Sequence, residues 1–148
     1  MKATMNRIEH ALELFTQRFN CSQAIFVAFR QKDRLDEEAA LKLATVFGAG
    51  VACTGGTCGA VSGGLLAISM KHGRGDLGSV DAKNKTYQLG RQLMDEFAQR
   101  NGSCVCAELL GMNIGIPENM AKAQAAKLFE TKCYQLVKSA AEILNRVL

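Results

Sequence analysis

The 148-residue chain has no tryptophan, one proline and two histidines, and only 6% of its residues are aromatic. With His10 and His72 alone available, a cysteine hydrolase that needs a histidine base has little support. The net charge of +4 is mild and the basic residues form no stripe, which argues against a nucleic-acid partner. The longest apolar run, residues 60–70, contains glycines and serines and is shorter than the ~20 residues of a membrane span. We therefore expect neither nucleic acid nor membrane as a partner.

The six cysteines also lack the common short motifs. No pair forms C-x-x-C or C-x-x-C-H, which argues against thioredoxin-like exchange, zinc ribbons and haem attachment. The glycine-rich stretch lacks the Lys-Ser/Thr ending of a phosphate-binding loop. Six cysteines are too few for a disulfide scaffold, and residues 1–20 do not resemble a signal peptide. We expect a cytoplasmic protein with reduced thiols, in which grouped cysteines indicate metal or redox chemistry.

Apolar residues at helical spacing indicate the fold. Ile8, Leu12, Phe15 and Phe19 predict a first helix over residues 4–19, and no segment alternates long enough to indicate a strand. Pro117 suits the first position of a helix. A second helix is predicted to start at Cys21, and others to span 36–47, 58–71 and 79–100. A short helix is predicted around 104–111, and the last part of the chain is predicted to be helical on both sides of a break near Glu130 and Thr131. The sequence predicts an all-α fold, an irregular bundle of about six or seven helices forming one domain over residues 1–148.

Cys58 lies at the end of a glycine-rich approach and before a predicted core helix. Thr57 is a suitable N-cap, which would place Cys58 in the first helical turn, where the helix dipole favours a thiolate. Gly59, Gly63 and Ala67 form a stripe of small residues that would let another backbone approach closely.

The other cysteines repeat this placement. Asn20 precedes Cys21, Ser103 precedes Cys104 and Cys106, and Thr131 precedes Cys133. A cysteine at a capped helix start is predicted to have a lowered thiol pKa and a raised affinity for metals. The opposite interpretation stays open, because free cysteine is often a small, buried hydrophobic residue.

Four segments carry a family resemblance that covers nearly the whole chain. They are Asn20-Cys21-Ser22-Gln23-Ala24, Thr57-Cys58-Gly59-Ala60-Val61-Ser62-Gly63, Cys106-Ala107-Glu108-Leu109-Leu110-Gly111, and Cys133 followed by Leu136-Val137. In these the chain resembles the C_GCAxxG_C_C family, whose proposed role is redox chemistry. The resemblance implies a small helical protein similar to the iron–sulfur portion of split-Soret cytochromes, without their haem part. It implies that Cys21, Cys58, Cys106 and Cys133 are the functional set and that Cys53 and Cys104 are additional.

Three functions remain open from these residues. In the first, Cys21, Cys58, Cys106 and Cys133 bind an iron–sulfur cluster, with Gly56, Thr57 and Gly59 around the cofactor, and the protein carries electrons. In the second, no cofactor is present and the thiols form a redox couple, with Cys58 attacking and Cys106 or Cys133 resolving. In the third, the thiols are inert in a structural or partner-binding bundle. A redox role predicts a redox partner protein, and we also expect a homodimer.

Overall fold

The computed structural model describes residues 4–148 and confirms the all-α prediction. Within these residues no strand is present, and Thr57 and Val105 form an isolated β-bridge. The described residues form eight α-helices, which are α1 (Arg7–Thr16), α2 (Cys21–Phe29), α3 (Glu37–Ala44), α4 (Gly59–His72), α5 (Val80–Asn101), α6 (Cys106–Leu110), α7 (Pro117–Ala125) and α8 (Tyr134–Val147). A 3₁₀ turn, Thr45–Phe47, follows α3, and a π-helical turn, Phe129–Cys133, precedes α8.

Side-chain caps determine where the first two helices begin. The Asn6 side chain accepts a hydrogen bond from the Glu9 N–H at 2.8 Å and begins α1, so the predicted helix over 4–19 is too long at both ends. Its C-terminal end falls earlier because Arg18 has a left-handed φ of 80°. Asn20 begins α2 as predicted, in a capping box with Gln23.

Most apolar side chains enter one core, which we call the main core. The helix α4 packs against α2, α5 and α8, and α1 completes the layer by packing on α2 and α8. Fully buried side chains such as Ile25, Ile68, Phe97 and Ile143 fill the space between these helices. This burial supplies the main driving force for folding. No helix in the described part of the chain combines the length and apolar character needed to cross a bilayer.

Glycine lets α4 approach α2 closely. A Cβ atom added at Gly63 would lie 2.6 Å from the Ser22 carbonyl oxygen and 3.1 Å from the Ser22 Cα atom. Since both atoms belong to the backbone, they could not move aside as a flexible side chain could. The predicted close approach along the small-residue stripe is confirmed at this position.

A second group of buried residues, the small core, lies beneath α6 and α7. It contains Cys106, Leu110, Ile114 and Ala123, with partly buried neighbours that include Phe129. The chain between α7 and α8 turns through Lys127, which has a left-handed φ of 54°. A break near Glu130 and Thr131 was expected, and the structure has the π-helical turn there instead of one continuous helix.

Candidate functional site

Four cysteines line one cavity, which we call the cysteine cavity. It has a volume of about 910 Å³, and its walls include Cys21, Cys58, Cys106 and Cys133. These residues belong to four separate segments, namely the first turn of α2, the N-cap of α4, the first turn of α6 and the π-helical turn. All four thiols are free. The fold therefore gathers residues that are up to 112 positions apart around one space.

The N-termini of α2 and α4 meet at this cavity. The Asn20 side chain accepts from the Gln23 N–H at 2.9 Å and donates through Nδ2 to the Thr45 carbonyl oxygen at 3.0 Å, which fixes the start of α2. A Cβ atom added at Gly59 would collide with the Cys21 Sγ atom. Only glycine at position 59 leaves room for this sulphur, so the predicted site residue Gly59 lines the cavity and shapes it.

Backbone N–H groups surround the Cys21 sulphur. Burial raises the pKa of the Cys21 thiol, and hydrogen bonds from the N–H groups of Ala49, Ser22 and Gly59 act in the opposite direction. The N–H groups stabilise negative charge on the sulphur, because their dipoles point towards it. A sulphur in this setting is suited to binding as a thiolate when a positive centre offsets the cost of burial.

The Ala49 N–H belongs to an unusual stretch of backbone, residues 49–53, which we call the left-handed loop. Its φ values are 53°, 75°, 67°, 52° and 58°, although only Gly50 among them is a glycine. Each non-glycine residue in this region costs about 1–2 kcal/mol. Hydrogen bonds from the Ala52 N–H to the Val46 carbonyl oxygen at 2.6 Å and from Gly56 N–H to Gly50 at 2.7 Å hold the loop in this form. Such strain is concentrated at functional sites in proteins.

The segment that follows the loop positions Cys106 beside Cys58. The Cys106 N–H donates to the Gly56 carbonyl oxygen at 2.6 Å, and the Cys58 N–H donates to the Cys104 carbonyl oxygen at 2.7 Å. Gly56 and Thr57, predicted around a cofactor, lie outside the cavity walls and act here through the backbone. Their place in the structure is to hold two cysteine-bearing segments together.

Cys133 reaches the cavity from the π-helical turn. Its N–H donates to the Leu128 carbonyl oxygen at 2.9 Å, five residues earlier, in the wider pattern of a π-helix. Short π-helical turns occur frequently at functional sites. The Thr131 hydroxyl donates to the Lys127 carbonyl oxygen at 2.8 Å and does not cap α8.

Two other predicted caps are also wrong. Cys58 itself occupies the N-cap position of α4, so Thr57 does not cap that helix. Val105 is the N-cap of α6, and the helix excludes Cys104. Ser103 instead accepts from the Val105 N–H at 2.9 Å and bonds to the Glu108 carboxylate. Tertiary pairing between 55–58 and 104–107, and not a side-chain cap, sets where each of these helices begins.

The expected lowering of the thiol pKa values is also wrong. Burial is the largest cause of a raised pKa at each cysteine of the cavity, followed by the charge of a neighbouring thiolate at Cys58, Cys106 and Cys133. The pKa rises to about 11 at Cys106 and to about 12 at Cys133. Desolvation of the thiolate outweighs the helix dipole. Without a bound positive centre, these thiols are neutral and weakly nucleophilic near neutral pH.

The remaining cysteines and both histidines lie elsewhere. Cys53 is exposed in the left-handed loop, with its Sγ atom 3.8 Å from the Ile114 carbonyl oxygen. The Cys104 thiol donates to the Met94 carbonyl oxygen at 3.3 Å. His10 and His72 do not line the cavity, and His72 is the last residue of α4. The set implied by the family resemblance is the set that the cavity brings together.

Sequence reasoning missed the rest of the cavity walls. They are mainly apolar and come from α1, α6, α7, the π-helical turn, α8 and three connecting segments. The sequence signal was available only as helical apolar positions, which look the same whether they face a core or a cavity. The apolar and aromatic residues in the walls are Phe15, Phe19, Ala49, Leu109, Leu110, Ile114, Met120, Phe129, Tyr134 and Leu136.

The donor set fits a metal–sulfur group. Four thiols are soft ligands of the kind that iron–sulfur clusters use, and the N–H groups around Cys21 would hydrogen-bond to a sulphur ligand. Within residues 4–148, no three Cys, His, Asp or Glu side chains are placed as a ready-made site for a single metal ion. The four thiols surround an open space, which suits a group larger than one ion.

Comparison with known proteins identifies the family. Residues 19–147 match the model of the family described as "Putative redox-active protein (C_GCAxxG_C_C)". The match includes all four cysteines of the cavity and most of the chain. The protein belongs to this family, and the family description supports a redox role. No curated protein and no solved structure gives a significant match to the chain.

Proposed function

We propose that the protein is an electron carrier in which Cys21, Cys58, Cys106 and Cys133 hold an iron–sulfur cluster. The observation that carries this proposal is the convergence of four cysteines from four distant segments on one cavity. Inert thiols that serve only as small hydrophobic residues would have no reason to share a wall. The redox role of the family agrees with this assignment.

Burial of the thiols favours a cluster over a metal-free dithiol couple. Attack by a free thiol requires the thiolate, and burial raises the pKa of Cys58, the predicted attacking residue. A coordinating metal removes the proton from a thiol outright, so the same burial is no obstacle to metal binding. When bound, the cluster would supply one-electron chemistry. The chain's own contribution is to exclude water and to direct backbone N–H groups at sulphur.

The geometry also suggests how the chain sets the redox potential. Hydrogen bonds to sulphur and the N-terminal ends of α2 and α4 stabilise the more negative, reduced state of a thiolate-bound group, which raises its potential. An electron carrier needs a donor and an acceptor, so we propose that it acts with a redox partner protein.

Anaerobic purification tests the proposed cluster. We expect visible absorption bands together with bound iron and acid-labile sulphide in the wild-type protein. Serine at any one of positions 21, 58, 106 or 133 should remove most of the absorbance and iron. Cys53→Ser and Cys104→Ser are the matched controls and should retain both, because neither residue lines the cavity.

Cys58→Ser is the most informative single variant. Serine is a favourable N-cap, so the start of α4 should survive and thermal unfolding should change little relative to the metal-free wild type. Loss of iron with an intact fold therefore supports a ligand role. A protein that contains no iron but loses two hydrogens per molecule on mild oxidation would instead be a dithiol couple. A protein that does neither would have inert thiols.

A further inference from the structure

The cysteine cavity is much larger than its thiols require. Its volume of about 910 Å³ lies in the range of roughly 300–1,000 Å³ that is typical of sites for small organic ligands. Metal–sulphur bonds are about 2.3 Å long, so a bound metal group would lie close to the four sulphurs. Most of the space beyond the cysteines would remain open to another molecule.

Aromatic side chains are concentrated around this space. Phe15, Phe19, Phe129 and Tyr134 line it, and they are four of the nine aromatic residues in the chain. Aromatic rings pack on other rings in offset or edge-to-face arrangements that add to the hydrophobic gain. Met120 lies in the same wall, and a thioether also contacts aromatic rings favourably. These walls are suited to a planar aromatic ligand.

The charges around the cavity indicate a neutral ligand. Among the described residues in its walls, the only carboxylate and the only guanidinium are Glu130 and Arg18, and both are exposed. Beyond the thiols the interior therefore offers no buried charged side chain, and a charged group placed there, away from the N–H groups around Cys21, would lose its hydration without an ionic partner. Gln124 and Tyr134 supply polar groups that can hydrogen-bond to the edge of a ring substituent.

From these features we propose that the cysteine cavity binds a neutral, planar aromatic molecule, with its ring between the aromatic walls and one face or edge towards the thiols or the group that they bind. This site goes beyond the proposed electron carriage, since it requires only the cavity walls and not a bound cluster. It places an organic molecule in contact with the redox-active end of the protein. Its chemical class includes quinone-like and heteroaromatic molecules.

Binding of β-naphthol, which is neutral at pH 7 and does not react with thiols, tests the site. We expect saturable binding to the full chain, measured by naphthol fluorescence in both iron-containing and iron-free protein. Gln124→Trp should fill the mouth from an exposed position on α7 and weaken binding about tenfold or more. Ala121→Trp is the matched control, because Ala121 is exposed on the same helix but outside the cavity walls, and it should bind as the wild type does.

Thiol protection gives a second readout that needs no variant. In iron-free protein, β-naphthol should slow alkylation of Cys133, which lines the cavity, and leave alkylation of the exposed Cys53 unchanged. Circular dichroism shows whether Gln124→Trp folds. If it does not fold, the protection of Cys133 from alkylation in the wild-type protein tests the proposal by itself. Absence of saturable binding, equal binding by Gln124→Trp and wild type, or equal protection of both thiols would overturn the proposal. Iron content is measured separately. A failure of naphthol binding therefore leaves the cluster proposal intact, and an absence of iron leaves the ligand-site proposal intact.

Discussion

The main core and the small core differ in how completely side chains fill them. In the main core Ile68, Phe97 and Ile143 are 0% exposed. In the small core Cys106 and Leu110 retain 7% and 8% exposure, since the cysteine cavity opens beside them. The main core is packed as ordinary protein interiors are, whereas the small core is less completely packed because it borders the cavity.

The backbone is regular in the main core and irregular beside the cavity. The helices α4 and α5 of the main core run for 14 and 22 residues without interruption. The left-handed loop and the π-helical turn both lie at the cavity, where Ala49 and Cys133 form part of the wall. The comparison teaches that the left-handed loop and the π-helical turn lie where the four cysteines converge, with Cys106 in the small core and Cys58 at the edge of the main core.

The largest expected effect contrasts one phenylalanine from each region. Phe97→Ala should lower the free energy of unfolding by about 3–5 kcal/mol, because it empties a fully buried site. Phe129→Ala should cost less than about 2 kcal/mol, since this half-buried ring already borders open space. Chemical denaturation of both variants measures the difference. Equal losses would contradict the view that the two cores are packed differently.

A smaller effect is expected inside the main core, where α2 and α4 approach closely. Gly63→Leu should lower the free energy of unfolding by about 2–3 kcal/mol, because any side chain at this position collides with the backbone of Ser22. Gly75→Leu is the control, since a Cβ atom at position 75 meets no atom within 4 Å. Thermal unfolding compares the two. A melting temperature of Gly63→Leu that matched the control would show that α2 and α4 can separate at low cost.

Local sequence signals predicted the regular part of the molecule well. The cap Asn20, the first helical residue Pro117 and the close approach at Gly63 were all predicted from one or a few neighbouring residues. Each of these features depends on short-range chemistry, namely a side-chain oxygen near free N–H groups, a fixed φ or a missing Cβ. Tertiary structure leaves such features unchanged.

The site was less predictable because its properties depend on distant segments. A helix-start cysteine favours a thiolate locally, but burial by other elements raised the pKa of Cys58 and Cys133. Residues such as Ala49 and Val51 give no local sign of a left-handed φ, which sequence rules reserve for glycine. The family resemblance selected the four cysteines of the cavity, whereas local rules gave no means to exclude Cys53 and Cys104.

The smallest effect concerns pH, to which the two regions should respond with opposite signs in the metal-free protein. On the outer surface of α5, one of the helices that build the main core, the side-chain hydrogen bond from Arg146 lowers the pKa of Glu96 below its ordinary value of 4.5. In the small core, burial raises the pKa of Cys106 from 9.0 to about 11. A lowered pKa contributes stability that is present above pH 4.5 and lost as the pH falls. A raised pKa contributes stability that is present below pH 9.0 and lost as the pH rises towards 11.

Melting temperatures measured from pH 3 to pH 11, a range that spans both titrations, separate these contributions. Glu96→Gln should reduce only the loss of stability at acid pH. The change in the free energy of unfolding should be less than about 1 kcal/mol, because the ion pair is exposed. Cys106→Ser should flatten only the alkaline limb, by on the order of 2 kcal/mol. Each variant is the control for the other, because the two act on opposite ends of the pH range. Removing the Cys106 charge also makes Cys58 and Cys133 easier to ionise in the folded state, which adds to the alkaline effect of Cys106→Ser. An alkaline limb that is unchanged in Cys106→Ser would mean that this thiol is effectively solvated, and the cavity would then be open to water as an ordinary surface cleft is.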